Sequence, residues 1–327
     1  MKKKLMMTMT LVLVFIMTSL GFATTDYTVK SGDVLWKIAL AHDTTWQQIA
    51  KDNQMDNPNL IFPGEVLTIK GDEDMTNKDK VVALLKSIET GDTAPVAYIN
   101  PNKYIQHNLG AADGLAGFGE LLSMIPEGTA KVNTVRAFAD GDYVFTHTDY
   151  NFFVPKVGFD VFRFEDGLIV EHWDNLTVKA EQANPSGRTE LDGPTASTDL
   201  DKTEENKDLV ANFVDDILVN GRMEKLASYF DGDSYLQHNT GIADGLSGLG
   251  AALEAMAKQS LTMTYTKVHR VLGEGNFVLV MSEGDFAGKH VAFYDLFRVE
   301  NGKIAEHWDV IEEIPAKDQW KNDNGKF

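Results

Sequence analysis

The sequence predicts an α+β protein made of three folded modules, and three observations support this prediction. Residues 26–70 show apolar patterns in the order strand, helix, helix, strand. Two later stretches repeat one another, and each places helical patterns before a series of β-type runs. Segments that are acidic, or rich in Pro, Gly, Ser and Thr, separate the modules as linkers do. Helices that precede an antiparallel sheet are typical of the α+β class.

Length and composition narrow the function. A chain of 327 residues is long enough for two or three domains, each with its own core. Its net charge of −19 argues against binding to nucleic acid or anionic lipid, because phosphate-binding surfaces need clustered Lys and Arg. The absence of cysteine excludes disulfides, thiol catalysis and zinc–thiolate sites. We therefore expect no nucleic-acid partner.

Residues 1–23 have the pattern of an export signal. MKKK supplies a basic start, an apolar run follows, and Gly-Phe-Ala ends the segment with the small-x-small rule for cleavage after Ala23. The alternative is an uncleaved anchor, because the apolar run is about long enough to span a bilayer. We expect a mature protein that is secreted or associated with the cell wall.

The module at 26–70 begins with a short strand and a turn. Tyr27 and Val29 alternate as in a strand, and Ser31-Gly32-Asp33 predicts a turn and helix cap. Two helical patterns follow, and Pro63-Gly64 then precedes a closing strand at 66–69. These features predict a small βααβ domain.

The motifs YxVxxGDxLxxIA and NPxxIxPGxxLxI in this module resemble those of LysM domains. The family binds glycans that contain N-acetylglucosamine, such as peptidoglycan or chitin, in a groove between two loops. The resemblance therefore implies a peptidoglycan-type partner. Position 34 is often Thr or Ser in the family, so Val34 lacks a hydroxyl that could contact the sugar. The implied glycan-binding residues are Gly32, Asp33, Val34, Asn59, Leu60 and Ile61.

An internal repeat is the most informative feature of the sequence. YIQHNLGAADGLAGFGELL aligns with YLQHNTGIADGLSGLGAAL, and 12 of 19 positions are identical. FDVFRFEDGLIVEHWDNL and YDLFRVENGKIAEHWDVI share 10 of 18 positions. We therefore predict two tandem domains, a linker and a tail. The predicted segments are 76–179 (first copy), 180–200 (linker), 201–313 (second copy) and 314–327 (tail).

The motifs YIQHN, ADGLxG and FRxExGxIxEHWD resemble the nuclear transport factor 2-like superfamily. More narrowly, they are similar to its SnoaL-like polyketide cyclase and aldol-condensation group. The resemblance implies two cone-shaped α+β domains, each with a curved antiparallel sheet around a pocket. It also implies chemistry without a metal or organic cofactor. Because domains of this superfamily commonly form homodimers, we expect the two copies to pair within the chain.

The hairpin that ends in EHWD decides which side chains share a face. A three-residue loop with glycine in a bulge would pair Asp160 with His172 and place Asp174 further along the same face. The alternative two-residue loop would pair Asp160 with Trp173 and break the contact with His172. The longer loop predicts that the second copy places Asp295 opposite His307 in the same way. It assigns the opposite face of the first copy to Arg163, Ile169, Glu171 and Trp173.

A carboxylate beside an imidazole forms an acid–base device, because the imidazole titrates near neutral pH and the carboxylate fixes its tautomer. SnoaL-like cyclases use Asp and His to move a proton next to a carbonyl, so the resemblance implies a small apolar carbonyl compound as ligand. The implied catalytic residues are His107, Asp160, His172 and Asp174, with His238, Asp295, His307 and Asp309 in the second copy.

Other readings of the same residues stay open. A histidine between two carboxylates is also typical of a hydrogen-bond network that stabilises a hairpin. His-x-Asp on a strand could supply two metal ligands, but nothing else in the spacing requires metal, so we predict none. At the level of function, the alternative to catalysis is a pair of ligand-binding or interaction domains tethered to the wall. Export favours this alternative, because polyketide cyclisation usually needs a synthase nearby.

Overall fold

The computed structural model describes residues 24–42, 44, 46–55, 57–58, 60–70, 75–126 and 128–327. The predicted export signal at 1–23 and the predicted glycan-binding residue Asn59 lie outside them. The chain divides into two compact units, one up to Asp74 and the other from Met75. In the part of the chain that the structure describes, we find no helix with the length and apolarity needed to cross a bilayer.

The first unit has the predicted βααβ order. Strand β1 (Thr24–Thr28) pairs antiparallel with β2 (Val66–Lys70), and helices α1 (Leu35–Ala41) and α2 (Trp46–Asp52) lie between them in sequence. The apolar residues at helical and strand spacing form one core. Its buried members include Val29, Leu35, Ile38, Ile49, Leu67 and Ile69.

The first copy begins with helix α3 (Asn77–Thr90), whose start is fixed by a capping box between Thr76 and Asp79. The elements that follow are β3 (Ile105–Gln106), α4 (Gly114–Ser123), β4 (Lys131–Asp140), β5 (Tyr143–Phe152), β6 (Val154–Glu165) and β7 (Leu168–Val178). The five strands form one sheet in the order β3-β7-β6-β5-β4, with β3 parallel to β7 and the other neighbours antiparallel.

The second copy repeats this arrangement, with the sheet order β8-β12-β11-β10-β9. Helix α5 (Thr203–Phe213) continues into a π-helical turn (Val214–Val219). Helices before an antiparallel sheet confirm the predicted α+β class. The remaining elements are β8 (Leu236–Gln237), α6 (Gly245–Lys258), β9 (Met263–Glu274), β10 (Phe277–Phe286), β11 (Lys289–Glu300) and β12 (Lys303–Glu313).

Each sheet has two buried faces. One face packs on the helices of its own copy, as Phe162 and Phe164 do in the first copy. The other face contributes to a core cluster that draws on both copies, and Asn175 Nδ2 donates there to the carbonyl oxygens of Ala292 (3.2 Å) and Val310 (2.7 Å). The largest side chains of this common core are Phe138, Phe145, Phe159, Trp173, Phe277, Tyr294 and Trp308.

The β6–β7 hairpin corrects the predicted register. Glu165 pairs with Leu168, so the loop has two residues, Asp166 and Gly167, and both have positive φ (49° and 77°), as a type I′ turn requires. A bulge between Arg163 and Phe164 then shifts the pairing by one residue. The predicted three-residue loop is therefore wrong.

The bulge changes the partners but keeps the predicted face. Asp160 lies opposite Asp174 rather than His172, so the predicted direct pair is wrong. An extra residue in a bulge reverses the alternation, and the reversal cancels the effect of the shorter loop. For the same reason Ile169 packs with Phe162 on the helix side, not on the face predicted for it. The second copy has the same register, with Asp295 opposite Asp309.

Candidate active site

The four residues of each EHWD motif divide between the two faces of their strand. On β7, His172 and Asp174 point to the helix side of the sheet, where they meet polar groups of the same copy. Glu171 and Trp173 point the other way, and Trp173 is fully buried in the common core. The motif therefore serves two separate places.

On the helix side of the first copy, an aspartate and a histidine form a dyad. His172 Nε2 lies 3.3 Å from Asp160 Oδ1, and both side chains are buried. The other ring nitrogen, Nδ1, lies 3.0 Å from Gln106 Oε1. Tyr150 donates its hydroxyl hydrogen to Asp160 Oδ2 at 2.6 Å. The contact between Asp160 and His172 thus exists, although it is diagonal across the hairpin.

The neighbours of Gln106 fix the protonation pattern of this dyad. Gln106 Oε1 also accepts a hydrogen bond from the backbone N–H of Asn108 at 2.8 Å, so it is the acceptor toward the ring. His172 Nδ1 must therefore carry a hydrogen. Nε2 then faces a carboxylate oxygen of Asp160, and their short contact requires one further proton, held by the ring or by the carboxyl group.

The second copy builds the same dyad. His307 Nε2 lies 3.0 Å from Asp295 Oδ1, and Nδ1 lies 3.1 Å from Gln237 Oε1. Gln237 Oε1 accepts the backbone N–H of His238 and of Asn239, each at 2.9 Å, so the same tautomer follows. The tyrosine here is Tyr265, whose hydroxyl lies 3.2 Å from Asp295 Oδ2.

A second aspartate flanks each dyad and is held by an asparagine. Asn108 Nδ2 donates to Asp174 Oδ2 at 2.5 Å, and Asn239 Nδ2 donates to Asp309 Oδ2 at 2.7 Å. In the first copy, Lys326 Nζ also lies 3.7 Å from Asp174 Oδ1. Within the described residues, Asp309 forms no ion pair with a lysine or arginine. The two sites therefore differ in the charge beside the second aspartate.

Burial and neighbouring charges set the protonation of these groups. Burial lowers the pKa of His307, but the hydrogen bond to Asp295 and the charges of Asp309 and Asp295 outweigh it, so the pKa is raised. Burial raises the pKa of Asp309, and the charge of His307 opposes this shift. Burial and the adjacent aspartate raise the pKa of Tyr150 and of Tyr265, so both phenols stay protonated as donors.

The predicted catalytic residues His107 and His238 lie away from the dyads. His107 Nε2 lies 2.9 Å from Glu171 Oε1, and its ring stacks on Trp173 at 4.7 Å. Arg163 Nε donates to the other oxygen of Glu171 at 2.6 Å, so these two residues share the face predicted for them. His238 makes the equivalent contacts, with Glu306 and Trp308. These two histidines support the motif from the opposite face of the strand.

The predicted tail packs against the loop of the first copy that carries Gln106, His107 and Asn108, which we call its QHN loop. We call residues 322–327 of the tail the second strap. Asn322 Nδ2 donates to the carbonyl oxygens of Asn108 (2.8 Å) and Ala111 (3.0 Å), and the Gly325 oxygen lies 2.9 Å from His107 Nδ1. The segment after the second copy thus closes over the loop that supplies Asn108 to the first site.

The predicted linker does the same for the second copy. We call residues 184–189 the first strap. Asn184 Nδ2 donates to the carbonyl oxygens of Gln237 (2.6 Å) and Ile242 (3.0 Å), and the Thr189 oxygen lies 2.7 Å from His238 Nδ1. Each QHN loop is therefore held by a segment that follows the other copy.

The two straps share a short sequence pattern outside the two aligned motifs. NPSGRT in the first strap and NDNGKF in the second share Asn-x-x-Gly followed by a basic residue. Both glycines, Gly187 (φ 82°) and Gly325 (φ 81°), have the left-handed backbone that glycine adopts at least cost. The composition of the first strap is also typical of a flexible linker, which obscured this likeness.

Each dyad and its second aspartate have the spacing of a metal-ligand set. One imidazole nitrogen and two carboxylate oxygens lie within 4.8 Å of one another in each copy. In the first copy, these groups already contact Gln106, Tyr150 and Asn108. A proton between ring and carboxylate satisfies the remaining contact. The arrangement therefore supports proton chemistry by the chain's own residues.

Of the predicted glycan-binding residues that the structure describes, Gly32, Asp33 and Val34 lie on the loop between β1 and α1, and Leu60 and Ile61 lie on the loop between α2 and β2. Gly32 has φ 89° and Asp33 accepts hydrogen bonds from Lys30 N (2.7 Å) and Tyr27 (2.8 Å), so both serve the turn. Val34 and Leu60 are exposed. The second of these loops ends beside β1, where backbone hydrogen bonds join 29 to 64 and 65.

Two exposed aromatic side chains next to these loops were not predicted as glycan contacts. Trp36 is 55% exposed and Phe62 is 60% exposed. An aromatic ring offers an amphipathic surface to a ligand that has apolar and polar parts. The pattern held a signal for Trp36, because it falls between the buried positions Leu35 and Ile38 of α1.

Comparison with known proteins assigns two parts of the chain. The LysM domain family matches residues 27–70, and the SnoaL-like domain family matches residues 210–307. The chain contains a LysM domain and a SnoaL-like domain. The second match lies within the second copy, and the first copy shares its strand order.

Curated relatives match only short stretches. The chain is 45% identical over 51 residues to "Probable autolysin SsaALP" of Staphylococcus aureus, covering 16% of this chain and 19% of the relative. It is 49% identical over 57 residues to "Chlorophenol reductase" of Desulfitobacterium hafniense, covering 17% of each chain. The chain thus spans less than a fifth of the length of these relatives.

Solved structures are similar at low identity. A SnoaL-like polyketide cyclase from Agrobacterium tumefaciens is 16% identical, with a TM-score of 0.27, covering 33% of this chain and 91% of that chain. An LEH-like epoxide hydrolase from M. tuberculosis is 23% identical, with a TM-score of 0.27, covering 34% of this chain and 85% of that chain. At such values the chemistry must be argued from the site itself.

Proposed function

We propose that this is an exported, cell-wall-associated protein that binds peptidoglycan-type glycans through its LysM domain. We further propose that its two copies are cofactor-independent acid–base sites that act on a small apolar carbonyl compound. The observation that carries the second part is the dyad with a fixed tautomer, present in both copies as Asp160–His172 and Asp295–His307.

The dyad supplies both halves of a proton transfer. With the further proton on the imidazole, the aspartate is a carboxylate that can take a proton from the carbon next to a carbonyl. The adjacent imidazolium lowers the energy of the enolate charge that develops. The aspartate then returns the proton to the carbon skeleton, so no external oxidant, reductant or cofactor is needed. Asp160 and Asp295 are the proposed bases, beside His172 and His307.

Deuterium exchange tests this chemistry without knowledge of the natural substrate. The chain is incubated in D₂O with a panel of apolar ketones and aldehydes, and deuterium entering the α-carbon is followed by NMR. We expect the exchange rate of the double variant His172→Asn/His307→Asn to be about 100-fold lower than that of the wild type, because a loss of general acid–base catalysis has an effect of this size. The exposed His290 on β11 gives the matched control His290→Asn, which should keep the wild-type rate. Equal rates in all three proteins would refute catalysis by the dyads.

Burial of the dyads favours a second candidate, in which the copies hold a small ligand or a partner without turning it over. His172 and His307 each keep only 9% of their surface accessible, and their ring nitrogens are all engaged. Mass spectrometry of the native and then the denatured chain would reveal a retained molecule. A released apolar compound that shows no deuterium exchange would support this candidate over catalysis.

We also propose that the two copies stay paired in solution. The common core, the exchanged straps and the Asn175 hydrogen bonds support this pairing. Small-angle scattering of the whole chain should be fitted by one compact body for residues 75–327, with the LysM unit treated as a separate body. A profile typical of separate beads for the two copies would contradict it.

The glycan proposal is tested by sedimentation with insoluble peptidoglycan. Leu60→Asp places a charge on an exposed apolar residue of the second loop, and we expect it to abolish most of the bound fraction. Val66 on β2 is similarly exposed, at 57%, so Val66→Asp is the matched control and should bind as the wild type does. Equal binding by both variants would place the glycan elsewhere.

A further inference from the structure

Both dyad aspartates contact a tyrosine, but the two tyrosines come from different strands. Tyr150, the partner of Asp160, lies on β5, the second long strand of its sheet. Tyr265, the partner of Asp295, lies on β9, the first long strand. Since β9 and β10 occupy the places of β4 and β5, the phenol has changed strands between the copies.

The register shows that the two positions face each other across one strand pair. In the first copy, Val132 on β4 lies opposite Tyr150 on β5. In the second copy, Tyr265 on β9 lies opposite Gly284 on β10. The large residue and the small one have exchanged places within the same cross-strand pair.

The neighbouring strand has changed to fit. On β6, Gly158 pairs with Thr148 of β5, and the corresponding residue of β11 is Phe293, which pairs with Ser282 of β10. Phe293 stacks on Tyr265, with ring centroids 4.1 Å apart. A Cβ on Gly158 would lie 2.7 Å from the backbone carbonyl oxygen of Asn175, closer than real Cβ contacts, so the aromatic ring found in the second copy does not fit here without a backbone shift.

The opposite exchange is blocked in the same way. A Cβ on Gly284 would lie 1.9 Å from the carbonyl oxygen of Thr264 and 3.1 Å from the Phe293 ring. The two copies therefore fill this region with different sets of residues that do not interchange one at a time. Packing alone requires a ring here, and phenylalanine would supply it. Yet each arrangement brings a hydroxyl within hydrogen-bond distance of its aspartate, as Tyr150 and Tyr265 do.

We propose that Tyr150 and Tyr265 are positioning residues, whose hydroxyl groups hold the dyad aspartates beside the histidines and favour their carboxylate form. The proposal rests on the proposed function, because it assigns these phenols to the same proton-transfer sites. A hydrogen bond donated to a carboxylate stabilises its ionised form. The further proton of each dyad is then kept on the imidazole, which leaves the aspartate free as the base.

Substitution by phenylalanine removes the hydroxyl and keeps the ring. NMR titration of the imidazole C–H signals in the full chain would report the midpoints of His172 and His307. We expect Tyr150→Phe to lower the midpoint of His172, and Tyr265→Phe that of His307, each by about 1 pH unit. A purely packing role for the tyrosines predicts unchanged midpoints, and that result would overturn the proposal.

The titratable groups that face His307 must be separated in this experiment. They are Asp295 on β11, Asp309 on β12, Tyr265 on β9 and Tyr235 before β8. Tyr235 provides the matched control, because its buried hydroxyl accepts from Gln237 Nε2 at 3.2 Å and has no hydrogen bond to a carboxylate among the described residues. Tyr235→Phe should leave the midpoint of His307 in place. An equal shift in both variants would attribute the effect to general repacking and refute the specific role.

Because no substrate enters these titrations, shifted midpoints without deuterium exchange would reject only the proposed catalysis. Exchange with unshifted midpoints would reject only the role of the tyrosines.

Discussion

The two copies hold the same dyad with different surroundings. Some contacts of the dyad are the same in both copies, and others differ. Asp160–His172 and Asp295–His307 keep their atoms, their tautomer and their glutamine support. The strand that donates the phenol differs, and a lysine lies near the second aspartate only in the first copy among the described residues. The constraint thus acts on a set of polar atoms rather than on particular positions. Apolar neighbours around such a set can be replaced as long as volume is kept.

The common core shows a second difference between the copies. The Arg136 guanidinium of the first copy lies 4.5 Å from the Trp308 ring, and Arg270 of the second lies 4.2 Å from the Trp173 ring. Arg136 is fully buried, whereas Arg270 is half-buried. Burial lowers the pKa of Arg136 to about 10, against the raising effect of the charge of Glu306. The two cation–π pairs are thus related by the repeat but not equally enclosed.

The largest expected effect is a difference in the free energy of unfolding between alanine variants of the two arginines. Arg136 donates to the carbonyl oxygens of Pro194 (2.8 Å), Leu191 (3.2 Å) and Asp192 (2.5 Å), so Arg136→Ala would remove three hydrogen bonds made by a buried charged side chain. We expect a loss of about 3 kcal/mol or more in the free energy of unfolding. Arg270→Ala should cost about 1 kcal/mol, the contribution of a partly exposed cation–π contact.

Denaturant unfolding of both variants, followed by tryptophan fluorescence, measures the difference. The unfolding of residues 75–327 must be resolved from that of the LysM unit. Similar losses for Arg136→Ala and Arg270→Ala would mean that the carbonyl contacts of Arg136 contribute little.

The straps offer a comparison in which we expect equality. Asn184 and Asn322 are both buried, and each donates two hydrogen bonds to the QHN loop of the other copy. Asn184→Ala and Asn322→Ala should each lower the free energy of unfolding by about 1–3 kcal/mol, because each removes two hydrogen bonds donated by a buried side-chain amide.

Hydrogen exchange locates the effect of these substitutions. Asn184→Ala should increase amide exchange around Gln237 in the second copy, and Asn322→Ala around Asn108 in the first. The exposed Asn102 gives the control variant Asn102→Ala, which should change neither region. Increased exchange confined to the copy that precedes the mutated strap would contradict the exchanged arrangement.

These straps mark the limit of what the sequence predicts. The order of helices and strands along the chain follows from the apolar pattern. The shared face of Asp160, His172 and Asp174 follows from the alternation of side chains along a strand. The face survives the wrong loop length because the bulge restores the alternation. The direction of His107 does not follow, since β3 has only two residues and its side chains take their faces from pairing with β7. Contacts of distant segments, such as Asn322 with Asn108, do not follow from apolar periodicity, although the Asn-x-x-Gly pattern recurs in both straps.

The two core tryptophans differ in their hydrogen bonds, and we expect a smaller difference in stability between their variants. Trp308 Nε1 donates to the Asp192 oxygen at 2.9 Å, whereas the buried Trp173 Nε1 has no hydrogen-bond partner in the described part of the chain. Trp308→Phe loses a hydrogen bond that Trp173→Phe does not. We expect Trp308→Phe to destabilise the chain more, by about 1 kcal/mol in the free energy of unfolding. Unfolding curves under identical conditions measure this, and a greater loss for Trp173→Phe would refute the assignment of the partners.

The smallest expected effect concerns the pH dependence of the second site. Because the folded pKa of His307 is raised above 6.5, its contribution to stability is fully present below that pH and is lost as pH rises through the folded value. The raised pKa of Asp309 acts with the same sign, in a window that begins at 3.8. Wild type should therefore lose stability relative to His307→Asn in the window from about pH 6.5 up through the folded pKa of His307.

Unfolding free energies at several pH values across that window, with His290→Asn as the exposed control, measure the effect. A gap between wild type and His307→Asn that widens with pH would mean that His307 is neutral in the folded chain. The further proton of the second dyad would then reside on Asp295, and the roles of the two residues would be reversed. The aspartate would act as the acid and the imidazole as its acceptor, with the same atoms in the same place.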